Sequence, residues 1–416
     1  MRRFFSLFLL LSVVFLNFMG LGLVFPLFGA LFFDPDVSLL PVETGGVMRG
    51  LWMGILIGLS PLVQFFGSPI FGSLSDQRGR KRFIMYGLSI GVVSYIIGVT
   101  AMRTHSLGLL ALYRALFGVN LCIVPVVQAA LVDISTPKNK SKYLSFYSMA
   151  LAIGFSSGPF VGGMLADLRL GSGWDHSVLF LVGGILTVLN LTLLSFGFKE
   201  THRKISLEKT EFFRGFSHIK AAWQNRELRY AFFGFFFFLY GLDFFLQFAT
   251  IPLRSLFGYT TSQVGSFYAY NSFTYSIATG FLIRPFLRRY EMGRLLAFSM
   301  LFAPIVLLCL LLIKDSFYLW FYVPVFAFVA ALYHPVAMSY VSDHARSDTQ
   351  GEMLGIYQSV MALAILLGPI VTGPLVGILP TMPICLGAGL MGVGGFIFTC
   401  QRVRKGKAAQ SFNEVS

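Results

Sequence analysis

One carboxylate stands where water does not ordinarily reach. Asp243 lies inside FFGFFFFLYGLDFFLQF, with no other charged residue within ten positions on either side. Ionisable groups at such depth are costly, and they mark ion paths, proton relays or ligand anchors. A carboxylate whose surroundings alternate between wet and occluded can take up and release a proton, which would couple a gradient to another movement. It could equally anchor a cationic substrate, or form a structural pair with Arg114, an arginine inside another apolar run. Arg114 is open to two readings, proton coupling or a structural arginine bonded to backbone carbonyls. His334, beside Pro335, is a second titratable candidate or a hydrogen-bonded packing histidine. Gln64, Asn120, Gln247 and Asn271 could line a polar cavity or join helices side by side.

No catalytic site can be assembled from what remains. No His-x-x-x-His, Glu-x-x-His or Ser/His/Asp arrangement stands in the apolar runs, so neither an enzyme nor a metal site is expected. No phosphate-cradling Walker loop occurs either, which excludes ATP-driven pumping. Cys122, Cys309, Cys385 and Cys400 lie within apolar runs without ligand spacing and read as packing residues.

The elements that must position these side chains are membrane helices. Only 12% of the 416 residues are charged and 56% are apolar, against about 25% charged in ordinary soluble domains. Apolar segments fall at 5–33, 50–71, 83–102, 106–132, 144–166, 177–198, 229–251, 262–283, 294–313, 317–342, 353–378 and 382–401. Each is long enough for a hydrocarbon core of about 30 Å. The first is read as an uncleaved helix, since no small-residue cleavage site follows MRRFFSLFLLLSVVF.

The net charge of +14 does not imply nucleic acid, because of where the charges lie. With the N-terminus inside, cytoplasmic segments hold 26 of the 32 Lys and Arg, the positive-inside pattern. Both termini are therefore expected in the cytoplasm. The one long hydrophilic stretch, 199–228, divides the chain into an N-terminal bundle (1–198) and a C-terminal bundle (229–416) of six helices each. Within it Phe212, Phe216, Ile219 and Trp223 share one helical face, as in a helix lying on the membrane surface.

The halves repeat one another. At an offset of 210 residues, Pro125 meets Pro335, Asp133 meets Asp343, Tyr147 meets Tyr357, and Gly158-Pro159 meets Gly368-Pro369. At an offset of 226, Pro26 meets Pro252, and nine residues earlier Asn17 meets Asp243. Nine helical residues rise about 13.5 Å, which would place both polar groups near mid-membrane if the prolines lie at its outer boundary. Parallel six-helix repeats with sites at the midplane are the plan of transporters with alternating access.

Three motifs carry a resemblance. GSLSDQRGRKR, from Gly72 to Arg82, is similar to the cytoplasmic signature of the major facilitator superfamily, with Gly72, Leu74, Ser75, Asp76, Gly79, Arg80 and Lys81 matching and Gln77 departing. Asp76 could sit at the positive end of a helix in the other half, such as the eleventh, while the following cations could pair with carboxylates such as Asp133. GFLIRPFLRRYEMGR, the equivalent in the second half, keeps basic residues without the aspartate. Arg114 and Gly118 resemble the superfamily's Arg-x-x-x-Gly feature, associated with proton coupling. GFSSGPFVGG, carrying Gly154, Gly158, Pro159, Gly162 and Gly163, resembles its antiporter signature, in which small residues permit close helix approach and proline bends the helix. LNFMGLGLVFP is similar to the first helix of tetracycline exporters, where an aspartate occupies the place of Asn17.

What the resemblance implies is an all-α membrane protein of twelve helices in two pseudo-symmetric six-helix bundles. It would be a proton-coupled antiporter exporting a hydrophobic or amphiphilic small molecule, rocking about a central site near Asn17, Asp243 and Arg114. The alternative is a proton-coupled importer of a nutrient or metabolite on the same fold. No cofactor is expected, the proton gradient being the energy source. The expected partners are substrate, protons and lipid, with the chain acting as a monomer in a bacterial cytoplasmic membrane. The aromatic runs FFGFFFFLYGLDFF and FYAYNSFTY would suit hydrophobic or cationic compounds, although much of this phenylalanine is expected to face lipid.

Overall fold

The computed structural model describes residues 2–34, 37–136, 139–167, 176–200, 223, 228–344 and 350–413. The surface-helix prediction at Phe212, Phe216 and Ile219 lies outside the described residues. In hydrocarbon a backbone must satisfy its own N–H and C=O groups, so long apolar runs become helices. Among the described residues there is no strand.

The first half comprises α1 (Arg2–Leu23), α2 (Phe25–Phe33), α3 (Gly46–Arg78), α4 (Arg80–Arg103), α5 (Leu107–Leu121), α6 (Ile123–Ile134), α7 (Lys140–Asp167) and α8 (Ser177–Gly197). In the second half come α9 (Arg229–Phe248), α10 (Thr250–Phe257), α11 (Thr261–Ile277), α12 (Arg284–Arg289), α13 (Met292–Cys309), α14 (Ser316–Ala331), α15 (Tyr333–Asp343), α16 (Gln350–Val376) and α17 (Met382–Asn413). Counting α1–α2, α5–α6 and α14–α15 each as one span, eleven helices among the described residues are long and apolar enough to cross a membrane. The remaining expected span, 262–283, begins as the 17-residue α11 and continues as a π turn over Ala278–Leu282. A π turn carries one extra residue in its hydrogen-bonded ring relative to an α turn.

Four interruptions follow from proline. α5 stops at Leu121, α9 at Phe248 and α14 at Ala331, each four residues before Pro125, Pro252 or Pro335. α1 stops at Leu23, with Pro26 opening α2. Proline cannot donate to the carbonyl four residues back, and its ring crowds that carbonyl, so the helix gives way there. The breaks at Cys122 and Leu332 are 210 residues apart, the offset of the sequence repeat.

Two compact units result, one of Met1–Phe213 with Gly258–Ser272, the other of Arg214–Phe257 with Phe273–Ser416. In the first, α1 packs chiefly on α7, and α4 on α5 and α8. In the second, α9 packs on α17 and α16. This central placement buries the phenylalanines of α9 more than the sequence suggests. Phe232, Phe235, Phe238, Phe244, Phe245 and Phe248 are all buried, and none on that helix is exposed.

Candidate functional site

In the first unit the midplane polar group is sealed. Asn17 on α1 is buried, and Asn120 on α5 donates from Nδ2 to its Oδ1 at 2.9 Å. Asn17 Nδ2 and Asn120 Oδ1 are left buried without partners among the described residues. Two turns N-terminal of Asn120, Tyr113 stacks among Tyr95, Phe117 and Phe180 at centroid distances of 4.9–5.8 Å. Arg114 follows it, fully buried, with Nε donating to the Leu56 carbonyl at 2.8 Å and Nη2 to that of Ile57 at 2.9 Å. Its guanidinium also lies over the Phe28 ring, 5.2 Å from the centroid. Of the two readings of Arg114, these are the contacts of the carbonyl-bonded one.

The second unit holds its polar group differently. Asp243, midway along α9, is half-buried and makes no hydrogen bond or ion pair among the described residues. Arg114, the structural partner the sequence allows, belongs to the first unit and Asp243 to the second. The Tyr333 hydroxyl is within electrostatic reach of Asp243, Tyr357 and Tyr275. Tyr333 and Tyr357 are both buried, and Tyr333 donates to the Phe235 carbonyl at 3.5 Å. His334 sets its ring edge-on to Tyr357 at 6.0 Å. Gln247, one turn beyond Asp243, keeps Oε1 buried without a partner among the described residues. Asp243, His334 and Gln247 thus share a unit with three tyrosines, whose hydroxyls could hold a carboxylate or carry its proton. Gln64 is half-buried on α3, and Asn271 is buried on α11 in the segment grouped with the first unit.

The loop between α3 and α4 is a charge cluster. Arg80 pairs with Asp76 one turn earlier, donates from Nε to Asp133 at 3.2 Å, and reaches Ser75 Oγ at 2.8 Å. The sequence predicts the Asp133 pairing. It gives no hint of Glu200, whose carboxylate accepts from the backbone N–H groups of Arg80 and Lys81 at 2.9 and 3.0 Å. These are orphan donors at the start of α4, where a negative charge is favoured by the helix dipole. Gly79 makes the turn at φ +103°, and a Cβ there would stand 2.5 Å from Glu200 Oε2. Lys81 completes the clasp through Nζ to the Ser195 carbonyl at 2.8 Å. Gly72 has open space around it.

On α7 the glycine stripe has a definite partner. A Cβ at Gly154, Gly158 or Gly162 would strike the carbonyls of Phe15, Met19 and Leu23, successive turns of α1 running parallel. The other side of α7 meets the start of α11. A Cβ at Gly163 would lie 2.9 Å from the Thr261 carbonyl, Pro159 O faces Gly265, and Ser156 donates to the Ala269 carbonyl at 3.2 Å.

Comparison with known proteins decides the family. The family description "Major Facilitator Superfamily" matches residues 7–369. The chain belongs to the major facilitator superfamily. Among superfamily relatives it is 26% identical over 396 residues to multidrug resistance protein 1 of Bacillus subtilis, covering 94% of each chain. It is 24% identical over 418 residues to the quinolone resistance protein NorA of Staphylococcus aureus, covering 97% of this chain and 98% of that one. The class C tetracycline resistance protein of Escherichia coli matches at 29% over 198 residues, about half of each chain. In fold it resembles the nucleoside transporter NupG (TM-score 0.75, 16% identity, 95% and 99% coverage) and a D-xylose–proton symporter (TM-score 0.73, 14% identity, 96% and 97% coverage). It is a multi-pass membrane transporter, not an enzyme.

Two groups of residues escaped the sequence reading. Glu200 sits where the apolar pattern ends, and nothing in its neighbourhood marks it as a cap for a turn 120 residues earlier. Tyr333 is a single aromatic in an aromatic-rich segment, although FYAYNSFTY ends in Tyr275 and the Tyr147–Tyr357 match singled out another member of that group.

Proposed function

We propose that the chain is a proton-coupled antiporter that exports a hydrophobic or amphiphilic small molecule by alternating access, with Asp243 as the proton carrier. The observation that supports this most is a carboxylate at the middle of α9, half-buried, lacking an ion-pair partner among the described residues and within electrostatic reach of the Tyr333 hydroxyl. Such a group is free to exchange a proton for a substrate contact, since no fixed cation holds it charged. Direction comes from the full-length relatives, whose names describe multidrug and quinolone resistance. The tyrosine and phenylalanine surroundings suit an apolar or cationic compound. The protein works as a monomer in a bacterial cytoplasmic membrane, both termini inside, without a cofactor.

The test is proton flux in energised everted vesicles challenged with a panel of drugs, dyes and metabolites. Substrate-triggered proton release by the wild type, absent from Asp243→Asn, is expected. Uptake with inward proton movement in right-side-out vesicles, and no release in everted ones, would overturn the direction.

A further inference from the structure

The contacts of Arg114 converge on a particular defect in α3. Pro61 lies inside that helix and has no N–H for the carbonyl four residues back, which is Ile57. In hydrocarbon an unpaired carbonyl is expensive, and a neighbouring helix must supply the donor. Arg114 does so, with Nη2 on Ile57 and Nε on the adjacent Leu56 carbonyl. The rigid fork of a guanidinium can serve both at once, whereas an ammonium serves as a point donor. Gly118, one turn on, permits the approach, since a Cβ there would stand 2.6 Å from the Ser60 carbonyl and 2.8 Å from Val63 Cβ. Ser60 returns the contact by donating to the Arg114 carbonyl at 2.6 Å. Phe28, on the short helix beyond the break at Val24, closes the third side.

The second half supplies an internal control. At the 210-residue offset, the position of Arg114 is occupied by Pro324, and α14 contains no arginine. α11, counterpart of α3, contains no proline. Where the proline is missing, the arginine is missing too.

We infer that Arg114 is a positioning residue that replaces the hydrogen bond Pro61 cannot make, clamping α3 at that proline to α5 and α2, rather than a proton relay. Both halves of the Arg-x-x-x-Gly pattern then have one purpose: glycine brings the backbones together and arginine satisfies what proline leaves open.

The test is a double-mutant cycle on the purified full chain in detergent, read by thermal unfolding, with Pro61→Ala, Arg114→Met, Arg114→Lys and the Pro61→Ala/Arg114→Met pair. Arg114→Met is expected to lower Tm by about 5 °C, and Arg114→Lys to recover only part of that. Adding Pro61→Ala, which restores the missing N–H, should return most of the loss. Additive effects, or a lysine variant as stable as wild type, would overturn the inference. A second reading guards the functional side: the double variant should retain substrate-driven proton release with an unchanged pH midpoint. A double variant that is stable yet releases no protons would show Arg114 to be part of the relay. The thermal arm is independent of any transport assignment, so its failure is distinguishable from failure of the antiport reading.

Discussion

Asn17 and Asp243 occupy the same place in the repeat and live in different surroundings. Asn17 is 4% exposed and bonded by Asn120 across a helix interface. Asp243 is half-buried, unbonded by any described residue, and within electrostatic reach of the Tyr333 hydroxyl. Duplicated position does not mean duplicated role. An amide can satisfy a neighbour's amide without ever changing charge, so it suits a static clamp. A carboxylate without a fixed counter-charge can change its protonation, so it suits a cycling site. The same contrast recurs elsewhere. Gly158 lies against the Met19 carbonyl and Gly22, while its duplicate Gly368 has nothing within 4 Å. In the second unit the close approach has moved to α9 and α17, where Gly234 faces Gly394 and Gly241 faces Gly387 in antiparallel pairs.

The largest effect should come from exchanging the two polar groups. Asp243→Asn is expected to reduce proton-driven transport about 100-fold or more, with normal insertion. Adding Asn17→Asp should not restore it, because that site is sealed. Recovery of pH-dependent transport in the double variant would show the two positions to be equivalent. Next, Gly158→Leu should destabilise by about 3 kcal/mol through overpacking against α1, and Gly368→Leu by less than about 0.5 kcal/mol. Thermal unfolding of the two purified variants would decide it, and equal losses would break the asymmetry.

These contrasts also show what a sequence can reveal. The spans, the prolines that break them and the repeat are written in composition and spacing, because hydrocarbon leaves a backbone few alternatives. Asp243 stood out for the same reason. What could not be read is which side chains meet. The Asn17–Asn120 bond joins residues 103 apart, and Glu200 reaches across 120 residues. Neither contact has a periodicity that would announce it. The break of 262–283 into α-helix and π turn was equally hidden, since no proline stands within Thr261–Leu282.

Smaller effects would sharpen the comparison further. Asn17→Leu leaves the Asn120 amide buried without its acceptor and should cost about 1–2 kcal/mol, seen as a lowered Tm. The end clasps differ in the same spirit. In the first unit Glu200 holds backbone donors, while in the second Glu291 holds the side chain of Arg402 at 2.8 Å, both partners partly exposed. Glu200→Gln should therefore cost about 0.5–1 kcal/mol, and Glu291→Gln less than about 0.5 kcal/mol. Thermal unfolding at low and high salt would separate them. Equal losses, both abolished by salt, would show Glu200 to be an ordinary surface charge.

The most direct test of Asp243 as proton carrier uses reconstituted liposomes and an exported substrate. Substrate exchange across the membrane without a gradient needs the conformational cycle but no net proton movement. Accumulation driven by an imposed pH gradient needs both. The account predicts that Asp243→Asn retains exchange and loses gradient-driven accumulation. Accumulation that persists and still follows the pH gradient in that variant would contradict it.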